Sequence, residues 1–148
     1  MAAKRPILHA TDFSSASRPA FAKAIELAKG SRSPLLVLHV LNPMVPMIGD
    51  RPIDPPTYAQ LQQASRGSAL KQLARWTARA KAAGVRATAL LMEGSEAGTI
   101  TRVARSRRAS MIVIGTHGRS GLERVLLGSV ATRVVSQTPC PVMTVRGR

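Results

Sequence analysis

A doubly wound α/β domain, with five parallel strands and helices on both faces, is the architecture this chain predicts. Three observations carry that expectation. Short apolar runs alternate with stretches of helical period, in the order strand–helix four times and then a last strand. The runs themselves, such as Leu35-Leu36-Val37-Leu38-His39-Val40 and Met111-Ile112-Val113-Ile114, are almost continuously apolar, as strands covered on both faces are. The length of 148 residues, 45% hydrophobic and 20% charged, suits a single domain over 1–148 whose core needs neither disulfide nor metal. Nothing repeats at solenoid periods.

Each element has a local reason. Pro6 to Ala10 is a short buried strand ending at Thr11-Asp12. Ser14 to Ser17 offer helix caps and Pro19 suits a first turn. Phe21, Ile25 and Ala28 then recur at helical spacing, and Gly30 is expected to close the helix. Residues 34–40 form the second strand. Pro43, Pro46, Pro52, Pro55 and Pro56 predict an irregular loop over about 41–56. A long helix is expected from about Tyr58 to Ala83, with Leu70, Leu73, Trp76 and Ala80 inward and Gly84 at its end. Val85 to Met92 is the third strand. Ser95-Glu96 opens a helix that turns Ile100, Val103 and Ala104 inward. Arg102, Arg105, Arg107 and Arg108 lie on its other face and end, where cations suit the helix dipole. The fourth strand, 111–114, runs into Gly115. A last helix begins near Gly128-Ser129, using Val130, Val134 and Val135, and 141–145 is the fifth strand.

Composition excludes several classes of function. Aromatic residues are 3% of the chain, too few for a platform that stacks unpaired bases. No apolar run is long enough to span a bilayer, and the N-terminal residues show no export signal, so the expected location is cytoplasmic. The single cysteine, Cys140, makes no internal disulfide and is expected to be buried and inert. His9 and His39 fall in strands and read as satisfied core histidines. No Cys/His cluster has zinc spacing. Lys+Arg is 22 against Asp+Glu 7, a net charge of +15 in which Arg predominates. Such a field either reflects solvated surface charge or attracts phosphate ligands and polyanions.

In a fold of this order, ligands bind beyond the carboxyl ends of the strands, where strand order reverses. The useful residues should therefore follow the strands: Thr11-Asp12, Val40-Leu41 and those after Ile114. The last group reads Gly115-Thr116-His117-Gly118-Arg119-Ser120-Gly121 and continues to Leu127-Gly128-Ser129. Its glycines permit close approach of backbone to a ligand, and the helix start at Gly128-Ser129 offers unpaired N–H groups to an anion. Neither a Gly-Lys-Ser/Thr nor a Gly-x-Gly-x-x-Gly frame is present. From the residues alone, a phosphate seat and three turn glycines followed by an ordinary helix cap both remain open. Asp12 is either a ribose contact or a cap on the following helix. Arg119 and Arg124 either reach toward phosphates or are solvated loop charges.

The frame Gly-x2-Gly-x9-Gly-Ser, at Gly115, Gly118, Gly128 and Ser129, resembles the nucleotide-binding motif of the universal stress protein family. The resemblance covers almost the whole chain. It includes Ile7 to Ser14, Leu38-His39-Val40, Ile112 to Gly118, Leu126 to Ala131 and Pro139-Cys140-Pro141-Val142. It implies a Rossmann-like sheet with strand order 3-2-1-4-5. It implies ATP as cofactor, with Mg or Mn arriving on the nucleotide, and a site built from Thr11, Asp12, Val40, Ile114, Gly115, His117, Gly118, Arg119, Gly128, Ser129, Val130 and Ala131. In that reading Asp12 takes the ribose, Thr11 shapes its turn and the Val40 backbone meets adenine. The amides of Gly128 to Ala131 and the Ser129 hydroxyl take the phosphates, and His117 braces the glycine loop. The resemblance also implies a homodimer paired through the last strand, Val142 to Val145.

The leading expectation is thus an ATP-binding protein of stress response that acts through nucleotide-dependent state or partner choice. An ATPase or other adenine-nucleotide enzyme is the second. It lacks a convincing base or nucleophile, and His117 is the only titrating group expected near the phosphates. A basic polyanion-binding protein, using a different surface and sensitive to salt, is the third.

Overall fold

The structure, a computed structural model, describes residues 2–43, 46–116 and 127–147. Strands β1 (Ile7–Ala10), β2 (Leu35–Leu41), β5 (Ala87–Glu93), β6 (Met111–Gly115) and β7 (Val142–Val145) form one parallel sheet in the order β5-β2-β1-β6-β7. Its register pairs Ile7 with both Leu35 and Met111, Leu35 with Ala87, and Ile112 with Val142. A small antiparallel hairpin, β3 (Met47–Ile48) and β4 (Arg51–Pro52), stands apart from the sheet. With the hairpin set aside, the order is the expected 3-2-1-4-5.

Helices α1 (Arg18–Ser31) and α2 (Pro55–Ala82) cover one face, and α3 (Glu96–Ser106) and α4 (Ser129–Gln137) the other. Alternation along each strand divides the core between them. Ile7, Leu35, Val37 and Val113 pack with Phe21 and Ala24 of α1 and with Leu73, Trp76 and Ala80 of α2. Leu8, Leu36, Leu38, Ile112 and Ile114 pack with Ile100 and Val103 of α3 and with Ala131 and Val134 of α4. The chain builds outward from β1 to β5, then crosses to β6 on the other side of β1. The reversal therefore falls between β1 and β6, where the loops after the two strands diverge.

Several local expectations are corrected. The segment 41–56 is not one irregular loop: β2 runs through Leu41, the hairpin occupies 47–52, and α2 begins at Pro55. Asp54 caps α2, its Oδ2 accepting from the Thr57 N–H at 3.1 Å and the Thr57 hydroxyl at 2.9 Å. Pro55 and Pro56 then occupy the first turn, where no intrahelical N–H is required. Gly30 does not close α1; the helix continues to Ser31 and Arg32 takes the left-handed conformation, φ 56°. Leu70 and Val135 are exposed at 49% and 48% rather than inward. Cys140 is half-buried. Among the described residues, no helix is long and apolar enough to cross a membrane.

Candidate functional site

The turn after β1 is held by its own side chains. The Thr11 N–H extends the ladder to Leu38 O at 2.9 Å. The buried Thr11 hydroxyl lies 2.9 Å from Ser17 Oγ and accepts from the Phe13 N–H at 2.9 Å. Asp12 Oδ1 accepts from the Ser14 N–H at 2.9 Å and from the Ser14 hydroxyl at 2.5 Å. Between them Phe13 is forced into the left-handed region, φ 64°, a conformation that costs a non-glycine residue about 1–2 kcal/mol. Its ring lies against His39, 4.5 Å between centroids, and the His39 Nδ1–H donates to Thr11 O at 2.7 Å.

The turn after β6 is anchored on both sides. Thr116 N–H donates to Val145 O at 3.0 Å, and Gly128 N–H donates to Thr116 O at 2.6 Å. Gly128 is the extended residue before α4, and its carbonyl accepts from the Thr132 N–H and hydroxyl, both at 2.9 Å. Among the described residues, no side chain caps the start of α4. The amides of Ser129, Val130 and Ala131 thus head a nine-residue helix whose positive end faces the cleft.

Between these turns lies a cleft of about 570 Å³. Of the residues expected to form a site, Thr11, Asp12, Val40, Ile114, Gly115, Gly128, Ser129, Val130 and Ala131 all line it. His117, Gly118 and Arg119, with Arg124, lie outside the described residues. The sequence reading missed a third wall. Ser65, Ser68 and Gln72 of α2 line the cleft, and Asn42 and Glu96 close its outer side, the Asn42 amide donating to Glu96 Oε1 at 3.0 Å. The signal for α2 was available: Ser65, Ser68 and Gln72 recur at helical spacing beside the apolar stripe of Ala69, Leu73 and Trp76.

The cleft is chemically graded. Leu38, Val40, Ile100 and Ile114 give it apolar surface, Asp12 and Glu96 give it carboxylates, and the α4 amides give it an anion-attracting end. No Lys or Arg occurs among the described lining residues. No group of three or more His, Cys, Asp or Glu side chains among the described residues is placed to hold a metal ion.

An open parallel sheet with a cleft at its reversal point and a bare helix start on one wall defines a doubly wound α/β domain of Rossmann-like class. Over residues 4–146 the sequence matches the Universal stress protein family, and the chain belongs to that family. A universal stress protein of Methanocaldococcus jannaschii is 33% identical over 144 residues, 96% of this chain and 82% of the relative. The UspA universal stress protein of Lactobacillus plantarum superposes with a TM-score of 0.84 at 24% identity, covering 99% of this chain and 100% of that one. A universal stress protein solved in complex with cAMP has a TM-score of 0.71 at 23% identity, covering 99% and 100% of the two chains. One from Archaeoglobus fulgidus in complex with dAMP has 0.66 at 21%, covering 98% and 100%.

Proposed function

We propose that this protein binds an adenine nucleotide, ATP in the first instance, in the cleft at the ends of β1 and β6, and that occupancy sets its state or choice of partner in stress response. The observation that carries the proposal is the uncapped start of α4, with the Ser129, Val130 and Ala131 amides and the Ser129 hydroxyl facing a cleft of nucleotide size. Polarity gives the ligand a direction. The phosphate tail lies at α4, and the base lies against the apolar surface, with the Val40 backbone at its edge. Asp12, at the far side of Gly115, accepts from ribose hydroxyls. Gly115 lets the ribose approach the chain, and Thr11 holds the Asp12 turn rigid through Ser17 and Phe13. His117, Gly118 and Arg119, which lie outside the described residues, join the proposed site by the sequence motif alone. A divalent ion, Mg or Mn, rides on the phosphates and keeps most of its waters. Two structural relatives whose complexes hold cAMP and dAMP support an adenine nucleotide as the ligand class.

Denatured protein examined by mass spectrometry should release an adenine nucleotide, and calorimetry should give an ATP affinity well below millimolar. Replacing Ser129→Ala removes one hydrogen bond to a charged group and should weaken ATP about tenfold or more. Gly128→Leu should fill the phosphate end and abolish binding while circular dichroism is unchanged. No binding of ATP, ADP or AMP below millimolar would refute the proposal.

A further inference from the structure

Carboxylates are absent from the segments that enter the strands of the sheet, whereas basic residues are frequent there. All five strands of the sheet start at the end opposite the cleft. The segments that enter them carry Lys4 and Arg5 before β1, Arg32 before β2, Arg86 before β5, and Arg107 and Arg108 before β6, all exposed. Hydrogen bonds join these segments into one surface. Ile7 N–H donates to Pro34 O at 2.9 Å, Leu35 N–H to Arg86 O at 2.8 Å, and Ser110 N–H to Pro6 O at 2.8 Å. The Arg5 guanidinium reaches Arg108 O at 2.9 Å and Ala109 O at 3.2 Å, and the Lys4 ammonium donates to Ser31 O. None of these segments contains a carboxylate. Asp12, Asp50, Asp54, Glu93 and Glu96 belong to segments at the cleft end, and Glu26 within α1 is paired with Lys23 at 3.0 Å.

Helix ends explain only part of this. α1, α2 and α3 finish on the same face, with Lys29, Lys81 and Arg105 in their last turns. Each helix end carries about half a negative charge, so these last-turn cations alone exceed the demand. The cations of the strand-entering segments are surplus.

Their geometry suits a phosphate backbone. The order β5-β2-β1-β6 sets the segments in a row, about 14 Å long at the usual strand spacing. A nucleic-acid duplex carries about eight phosphates over that length. Arg predominates, and its planar fork matches phosphate oxygens. Among the described residues, the exposed large apolar side chains, Met47, Ile48, Leu61, Leu70 and Val135, lie outside these segments, so these segments lack the apolar anchor that seats a protein in a lipid surface. No aromatic residue occurs in the segments, so bases are not stacked upon.

We propose that this face binds the phosphate backbone of duplex nucleic acid without reading its sequence, independently of the cleft. The test is fluorescence anisotropy of a short labelled DNA duplex between about 50 and about 200 mM salt. Wild-type affinity should fall steeply with salt, with a log–log slope steeper than about −3. The triple variant Arg32→Gln, Arg86→Gln, Arg107→Gln should bind at least tenfold more weakly, with a slope shallower by about 3. Arg51→Gln, Lys71→Gln, Arg75→Gln removes the same charge from other surfaces and should leave the slope unchanged. Equal weakening by the two triples, a slope near zero, or binding to phosphatidylglycerol vesicles but not to the duplex overturns the proposal. Amide shift mapping on the wild-type protein needs no variant. Duplex-induced shifts should cluster at residues 4–6, 31–34, 84–87 and 105–110, and shifts confined to the cleft would overturn the assignment.

Discussion

Buried His9 makes folding sensitive to pH. It is fully buried, its Nδ1–H donates to Val113 O at 2.9 Å, and Nε2 has no partner among the described residues. Trp76 stacks on it, 6.1 Å between centroids and 9° between planes. Burial pushes its pKa down from 6.5 to about 4, while the Val113 carbonyl and the charge of Asp12 hold it partly up. The folded state therefore binds fewer protons than the unfolded chain. This contribution to stability is complete above the unfolded pKa and is lost as pH falls from about 6.5 toward about 4. By about pH 5 the loss is about 2 kcal/mol. Denaturant unfolding of wild type and His9→Gln at about pH 7.5 and about pH 5 should show the wild type losing more, and equal losses would contradict it. The sequence placed both strand histidines in the core, yet only His9 is there; His39 is half-buried on the cleft wall. A nearly continuous apolar strand hides which residues face which layer, so the two could not be told apart. Thr11 and Asp12 were legible because they follow a strand. Ser65, Ser68 and Gln72 share a helical spacing that groups them on one face, but polar residues on a long helix look the same whether they face solvent or a ligand, so the spacing alone did not assign them to the cleft.

At the scale of elements, the type of each main element was legible and the ends were where reasoning erred. Gly30 looks like a helix terminator, but its φ is not positive and a Cβ there would meet nothing within 4 Å. It is an exposed residue in the last turn of α1. Gly30→Ala should stabilise the protein by about 0.5–1 kcal/mol and raise Tm by about 2–4 °C, measured by calorimetry. A fall in Tm would show that the glycine has a local role. Prolines misled in the opposite direction. Read as breakers, Pro55 and Pro56 are starters, because Asp54 precedes them and Thr57 follows with both donors for its carboxylate. Those two bonds hold the Asp54 carboxyl below the usual carboxylate range. The hairpin of Met47–Ile48 and Arg51–Pro52 lacks the alternation that announces a strand, since its strand residues are all exposed.

For the whole molecule, topology was the most legible property, because strand–helix alternation with short connections leaves few arrangements. That topology leaves β7 at an edge of the sheet, bonded only to β6. Ile112 N–H donates to Pro141 O at 2.9 Å and Thr116 N–H to Val145 O at 3.0 Å, so the alternating backbone groups of Val142 and Thr144 point outward. An outward edge of this kind invites pairing with a second copy, the arrangement that the sequence resemblance implies. Thr144→Pro removes an outward N–H without touching the ladder to β6. Light scattering should give a dimer for wild type and a monomer for the variant; a wild-type monomer would end the idea. The lone indole has a further consequence. Trp76 meets the ring of Phe13 edge-on, 5.7 Å away, and Phe13 is itself part of the cleft wall. The molecule thus carries one indole, a single residue removed from the cleft, so its emission should report any occupant of that cleft without a dye.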